Sequence, residues 1–205
     1  MKIPDSIKKF AEVFSEIPGI GPRQAIRLAF YFINQGIGFN EKVIRAVLSI
    51  KDIKLCSQCF NIHQNKTNPR PEDNLCEICA DPKRDKNTIA IVEKETDLLS
   101  IENTSKFKGK YLILGDLKKS GVLDIQQKLR ISSLKSFVKK QNYLFEEIII
   151  AVNPTTYGDL NADIIAKELK PFAKKISRLG KGIPTGGEIE FADKETLSEA
   201  IERRK

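Results

Sequence analysis

The chain has 205 residues, 35 of them Lys or Arg and 27 Asp or Glu, for a formal net charge of +8. With 30% charged and 40% hydrophobic residues it has the composition of a folded chain that can bury a core, not of a disordered one. No run reaches the ~18 apolar residues of a membrane span, and residues 1–14 mix acids among lysines without a continuous apolar stretch, so no signal peptide is expected. The positive surplus is spread along the chain, which admits a nucleic-acid partner without requiring one.

Residues 1–53 read as helical. Ile3, Ile7, Phe10, Ala11 and Phe14 repeat at helical spacing, with Asp5 or Ser6 available as an N-cap. A Gly/Pro turn over 17–22 leads to a second helix near 22–34, with Pro22 in the first turn, and a third near 40–50. In Ile17-Pro-Gly-Ile-Gly-Pro-Arg-Gln-Ala, Gly19 and Gly21 bracket an apolar residue. Such a turn lets the backbone approach a ligand closely and aims N–H groups and a helix N-terminus outward, a ready anion site. Arg23 and Arg27, four apart, share one helical face and could extend it toward DNA phosphate. The pattern resembles the helix-hairpin-helix motif, and a packing or self-association corner is the alternative use.

Residues 54–88 hold all four cysteines and the only histidine. They are too poor in large apolar residues to form a core. Cys56-Ser-Gln-Cys59 and Cys76-Glu-Ile-Cys79 are two C-x-x-C pairs, sixteen residues apart. Each pair can chelate a metal through a tight turn, and four thiolates favour a closed, structural zinc site. Unrelated buried cysteines, redox pairs and an iron–sulfur cluster are the alternatives. His63 is expected to be an exposed loop residue; serving as a substitute ligand is the other reading.

Residues 89–205 alternate strand and helix. Apolar runs at 89–92, 111–114 and 148–152 fit buried parallel strands, with helices near 97–103, 124–140 and 159–169 between and after them. The alternation predicts a doubly wound α/β layer with right-handed crossovers. A last helix is expected over 193–203, capped by Asp193, and the stretch 182–188 reads as a structured turn without P-loop spacing. Glu93 stands at the C-terminal end of the first strand, the edge where α/β sheets place their sites. A glutamate there resembles the Toprim domain, whose catalytic versions add an Asp-x-Asp pair after a later strand. Here that strand runs into Asn153-Pro-Thr-Thr-Tyr-Gly-Asp159, so a two-metal phosphotransfer site is not expected. For Asp159 and Asp163, helix capping and dipole complementation stand ahead of metal binding.

The ordered set of motifs resembles the RecR family of recombination mediators along nearly the whole chain. It runs from the Gly turn through the four cysteines, Asp81–Asp85, Ile91-Val-Glu93 and Ala151-Val-Asn-Pro-Thr155 to Gly182-Ile-Pro-Thr-Gly-Gly-Glu188. The resemblance implies a fold of four parts. These are a helix-hairpin-helix region for DNA binding and oligomerisation at 1–53, a zinc finger at 54–88, a Toprim domain at 89–180, and a Gly-rich turn and helix at 181–205. It implies a non-enzymatic DNA-binding role in the bacterial cytoplasm, at the nucleoid. There a dimer or tetramer acts as a clamp on gapped or junction DNA and loads RecA together with RecO, RecF or both. Carried over by motif, Gly19, Gly21, Arg23 and Arg27 would face DNA, Cys56, Cys59, Cys76 and Cys79 would hold one structural Zn²⁺, and Glu93 and Asp159 would face RecO. Three places depart from the family pattern: the long loop 60–75, the short segment 115–121, and Tyr157-Gly158-Asp159 in place of Glu-Gly-Glu. The competing expectations are a Mg²⁺-dependent Toprim nuclease or primase-like enzyme, and a zinc-ribbon scaffold that binds only protein.

Overall fold

The computed structural model describes residues 3–64, 74–118, 121–141, 143–202 and 204. The chain divides into two compact units, Met1–Ile53 and Lys54–Lys205. Much of the loop 60–75 lies outside the described residues.

The first unit is three helices, α1 (Asp5–Ser15), α2 (Pro22–Gln35) and α3 (Ile37–Ser49). α1 is not capped by Asp5 or Ser6. The Pro4 carbonyl accepts from the amides of Ile7 and Lys8, and the Asp5 carboxylate turns outward to Lys8. α3 begins three residues earlier than expected, because Gly36 at φ +80° ends α2 and starts α3 in one step. Ile7, Ala11, Ala25 and Ala29 are buried between α1 and α2, beside the rings of Phe10, Phe14, Phe32 and Phe39. α3 buries none of its residues, and Ile37, Val47 and Ile50 are at least 60% exposed.

The second unit opens with a small hairpin, β1 (Lys54–Leu55) against β2 (Ile62–His63), and one helical turn, α4 (Glu77–Ala80). A parallel sheet follows: β3 (Thr88–Val92), α5 (Glu95–Asn103), β4 (Lys110–Ile113), α6 (Ile125–Gln141), β5 (Phe145–Ala151), α7 (Thr156–Leu169) and β6 (Ala173–Arg178), in the order β4-β3-β5-β6. From β3 the chain steps one way to β4; from β4 to β5 and from β5 to β6 it steps the other way. Crossovers of a single hand then demand that α5 lie on one face and α6 and α7 on the other. They do. Ile89, Ile91, Leu112, Ile148 and Ile150 pack with Ile131 and Leu134 of α6 and Ile165 and Leu169 of α7, while Ala90, Val92, Tyr111 and Ile113 pack with Leu98 of α5. The doubly wound layer is as expected, with one strand more. β6 reads AKKISR, too charged for a buried strand. It is an edge, and Lys174 and Lys175 pair with Glu146 and Glu147 of β5 at 2.6 and 2.7 Å. The last helix, α8 (Lys194–Glu202), is capped as predicted by Asp193, which accepts from Thr196 N at 2.9 Å. The expected turn at 182–188 is closed by Gly187 N donating to the Pro184 carbonyl. Among the described residues no helix is long and apolar enough to cross a membrane.

The other edge of the sheet, β4, is clasped by the cysteine segment. Ile113 N donates outward to the Cys59 carbonyl at 2.9 Å. Lys110 Nζ donates to the carbonyls of Ile78, Cys79 and Asp81 at 2.9, 3.0 and 3.2 Å, closing the end of α4. Phe60 packs into the core on the α6 side and Ile78 into the core on the α5 side. Phe60 holds φ +62°, rare for a residue with a side chain, and the Arg130 guanidinium lies 5.1 Å from its ring centre. Arg84, just after the cysteines, grips Glu102 of α5 with both of its terminal nitrogens and also reaches the Gly109 carbonyl. The Tyr111 hydroxyl donates to the same carboxylate at 2.6 Å.

Two predictions follow from this clasp. Lys110→Met keeps the aliphatic stem but removes the donor shared by three carbonyls, of which, among the described residues, Asp81 alone keeps another, Arg84 N. It is expected to cost about 1–3 kcal/mol, read as a lower urea midpoint with faster amide exchange at Ile113; an unchanged midpoint would remove Lys110 from the clasp. The second concerns acid. Arg84, followed by Tyr111, holds the Glu102 carboxyl below the usual carboxylate range against the effect of burial. A depressed native pKa gives stability that is present above the unfolded value of ~4.3 and lost as pH falls through the native one. The stability gap between the wild type and Glu102→Gln should therefore be widest near pH 6 and shrink below about pH 4. A gap of constant size across that range would contradict the assignment.

Candidate metal centre, basic turn and acidic sheet edge

The four cysteine sulfurs converge. All four Sγ atoms lie within 4.8 Å of one another, and Cys59 and Cys76 approach to 3.4 Å. Local backbone explains how. Cys56 N donates to the Asn61 carbonyl and Phe60 N to the Cys56 carbonyl, so residues 56–61 form a tight turn with Asn61 N pointing at Cys59 Sγ, 3.4 Å away. The second pair sits on α4, where Ala80 N bonds the Cys76 carbonyl. Cys56, Cys59 and Cys76 are fully buried, Cys79 partly. Mutual hydrogen bonds, first from Cys59 and then from Cys76 and Cys79, hold the Cys56 thiol well below its usual pKa, while Cys59 is pushed up by the same crowding. Four thiols this close want a cation. A tetrahedral ion with bonds of ~2.3 Å to sulfur needs S···S separations of about 3.8 Å, which this cluster brackets. The residues present therefore fit a metal ion.

His63 is outside the ligand group. Nor is it the exposed loop histidine expected from sequence. It pairs with Lys54 in the β1–β2 hairpin, is half-buried, and its enclosed Nε2 has no hydrogen-bond partner among the described residues. The signal was too faint to read, since β1 and β2 have two residues each.

In the first unit, Gly19 takes φ +87°, a left-handed conformation that favours glycine. Gly21 precedes α2 in an extended conformation, and its amide reaches Gln24 Oε1 at 3.3 Å. Arg23 and Arg27 are both exposed, and neither has an ion-pair partner among the described residues.

Glu93 follows β3 directly and lies beside the end of β5, where the chain leaves the two neighbouring strands in opposite directions. That is the switch point of the sheet, the crevice where α/β folds bind ligands. Its two oxygens are both occupied: Oε1 accepts from Leu117 N and Oε2 from Asn153 Nδ2, each at 2.9 Å. Asp159 sits in the first turn of α7 but does not cap it. The cap is Thr155 Oγ1, which accepts from Gly158 N, while Asp159 pairs with Arg178 and Lys181. Arg178 first, then Lys181, hold its carboxyl below the usual range. Asp163 is exposed, one turn further along. Lys181 also binds Glu195, linking α7 to α8. The four cysteines are the one grouping of metal-ligating side chains among the described residues, so Glu93, Asp159 and Asp163 do not form a second.

The sequence agrees with known proteins along its whole length. A Toprim-domain family model matches residues 87–180, and a model described as the RecR C-terminal region matches residues 182–205. A recombination protein RecR from Anaeromyxobacter sp. (strain Fw109-5) is 35% identical over 209 residues, covering 100% of this chain and 99% of that one. Those of Chloroflexus aggregans (35% identical; 97% and 93% covered) and Bifidobacterium animalis subsp. lactis (33%; 98% and 96%) are similar to the same extent. The chain belongs to the RecR family of recombination proteins.

Proposed function

We propose that the chain is a non-enzymatic DNA-binding mediator of recombinational repair in the bacterial cytoplasm. It works as a self-assembled dimer or tetramer, a clamp that engages RecO, RecF or both at gapped or junction DNA so that RecA loads there. The observation that carries the non-enzymatic part is Glu93. Both of its oxygens are bonded to protein donors, and an asparagine amide, not a second acid, faces it. A divalent cation is held by oxygens converging from several residues, usually with more than one carboxylate among them. This edge spends its carboxylate on holding its own loops. Family membership and the net charge of +8 support DNA as the partner. Arg23 and Arg27, exposed beside the Gly19–Gly21 turn and without an ion-pair partner among the described residues, are the natural phosphate contacts. Self-assembly is supported by α3, which leaves Ile37, Ile44, Val47 and Leu48 exposed. The acidic edge with Glu93 and Asp159 is the proposed docking place for RecO, with Arg178 and Lys181 yielding Asp159 to it.

We assign the metal at the four cysteines as one structural zinc ion per chain, since four thiolates close the shell. Metal analysis should find one zinc per chain, and Cys56→Ser with Cys59→Ser should abolish it and lower the melting temperature. A double variant with unchanged zinc and melting would defeat the assignment.

For DNA, labelled gapped duplex with Mg²⁺ should shift on a native gel and remain intact on a denaturing one. Arg23→Ala with Arg27→Ala should weaken binding at every sequence and lower the salt dependence by about one unit per lost phosphate contact, with the fold unchanged by circular dichroism. Cut or extended DNA, lost in Glu93→Gln, would instead establish the Toprim enzyme. Wild-type binding absent at low salt would point to the protein-only scaffold.

A further inference from the structure

We propose that Glu93 acts at the sheet edge as a positioning residue, tying the β4–α6 loop to the β5–α7 loop across the switch point, and that Asp116 is the carboxylate so presented to a basic protein partner. The second half rests on the docking role proposed above; the first stands without it.

The loops need such a tie because the topology separates them. β3 lies between β4 and β5, so the β4–α6 and β5–α7 loops leave strands that do not pair with each other. Residue 93 bridges them three times. Its carbonyl accepts from Gly115 N at 2.9 Å, continuing the ladder in which Val92 O accepts from Leu114 N. Its carboxylate accepts from Leu117 N on the same loop and from Asn153 on the other. Hydrogen bonds to an ionised acceptor are the stronger kind.

The far anchor is rigid. The Asn153 carbonyl accepts from Thr155 N at 2.9 Å, and a Cβ on Gly158 would lie 1.9 Å from that same oxygen. Only glycine lets the first turn of α7 pass so close, and the passage sets where the Asn153 amide points.

The near loop is pinned on both sides of Asp116. Leu117 N is held by Glu93, and the Asp116 carbonyl accepts from Gln127 Nε2 at 2.8 Å. Gln127 is itself 1% exposed and locked in reciprocal bonds with Asp124, N to Oδ1 and N to Oε1, both 2.9 Å. The backbone at Asp116 is therefore fixed while its side chain is 81% exposed. Among the described residues its one ion-pair partner is Lys94 at 3.1 Å, itself 49% exposed. An exposed pair of this kind is weak and exchangeable, so a cation from a partner can replace Lys94. Glu93, by contrast, already gives both of its oxygens to its own loops. Asp159 must be released from two cations, Arg178 and Lys181, where Asp116 is released from one.

The test uses the full-length protein and the RecO protein of the same genome, with residue-level amide exchange as the second readout. In Glu93→Ala, the Leu117 amide should exchange about tenfold faster, residues 153–157 should loosen with it, and RecO affinity should fall. In Glu93→Gln, the side-chain oxygen still accepts from Leu117 N, and the Asn153 amide can turn over to offer its own oxygen. Exchange and affinity should both stay within about threefold of wild type. Asp116→Ala should leave exchange unchanged and lower RecO affinity about fivefold. If Glu93→Gln binds RecO as poorly as Glu93→Ala while its amides stay protected, Glu93 is a direct charge contact and the positioning role is wrong. Unchanged exchange in Glu93→Ala would overturn it as well. Full affinity in Asp116→Ala would remove Asp116 as the presented acid. Failure of the wild type to bind RecO would overturn the docking reading and Asp116 with it, while the exchange data would still decide Glu93.

Discussion

The hydrogen bond from Ile113 N to the Cys59 carbonyl marks the constraint on which the second unit depends. A four-stranded parallel sheet has two edges, and an open edge is a row of unpaired backbone groups. β6 answers with charge, its lysines paired back onto β5. β4 is apolar on both faces and cannot do that. It is covered instead by the cysteine segment, with Phe60 on one face, Ile78 on the other and Lys110 fastening the end of α4. The dependence is mutual. The cysteine segment gathers only its own sulfurs, Leu75 and Ile78 into a cluster, so it has no shape apart from the sulfur cage and the sheet it grips.

That coupling reaches the acidic edge of the sheet along a single strand. β4 starts at Lys110 under the cysteines and leads directly to Leu114 and Gly115, whose amides bond the carbonyls of Val92 and Glu93. Whatever loosens the cysteine turn loosens the strand that delivers the 115–118 loop to Glu93. The cysteine segment is bonded to β4 at both Lys110 and Ile113, and the strand then enters the loop held by Glu93, so a change at the cysteines can reach that loop through the strand alone.

The sequence made some of this legible and hid the rest for physical reasons. Continuous apolar runs betray buried parallel strands, and doubled C-x-x-C spacing betrays a cage of four sulfurs, because both signals are local. β6 was hidden because an edge strand stabilised by cross-strand ion pairs looks like a solvated loop. Lys110 and Arg84 were hidden because a long cationic side chain reads as surface, although here each satisfies buried or half-buried acceptors from distant segments. Glu93 itself was visible at a strand end, but its meaning was not. Its two donors lie 24 and 60 residues away, and nothing short of the folded topology brings Leu117 and Asn153 to one carboxylate.

Those two donors decide what kind of edge this is. A carboxylate facing another carboxylate repels it and calls for a cation between them. A carboxylate facing an amide and a peptide N–H is stabilised by their hydrogen bonds and meets no like charge. The first arrangement binds metal and can do chemistry; the second fixes loops and leaves neighbouring acids free for a protein surface. Asn153 therefore separates the two functions more sharply than Glu93, which serves either. On the same argument, the variant that would test whether this edge retains any capacity for Mg²⁺ is Asn153→Asp, since it restores a second acid at a position already within hydrogen-bond reach of the first.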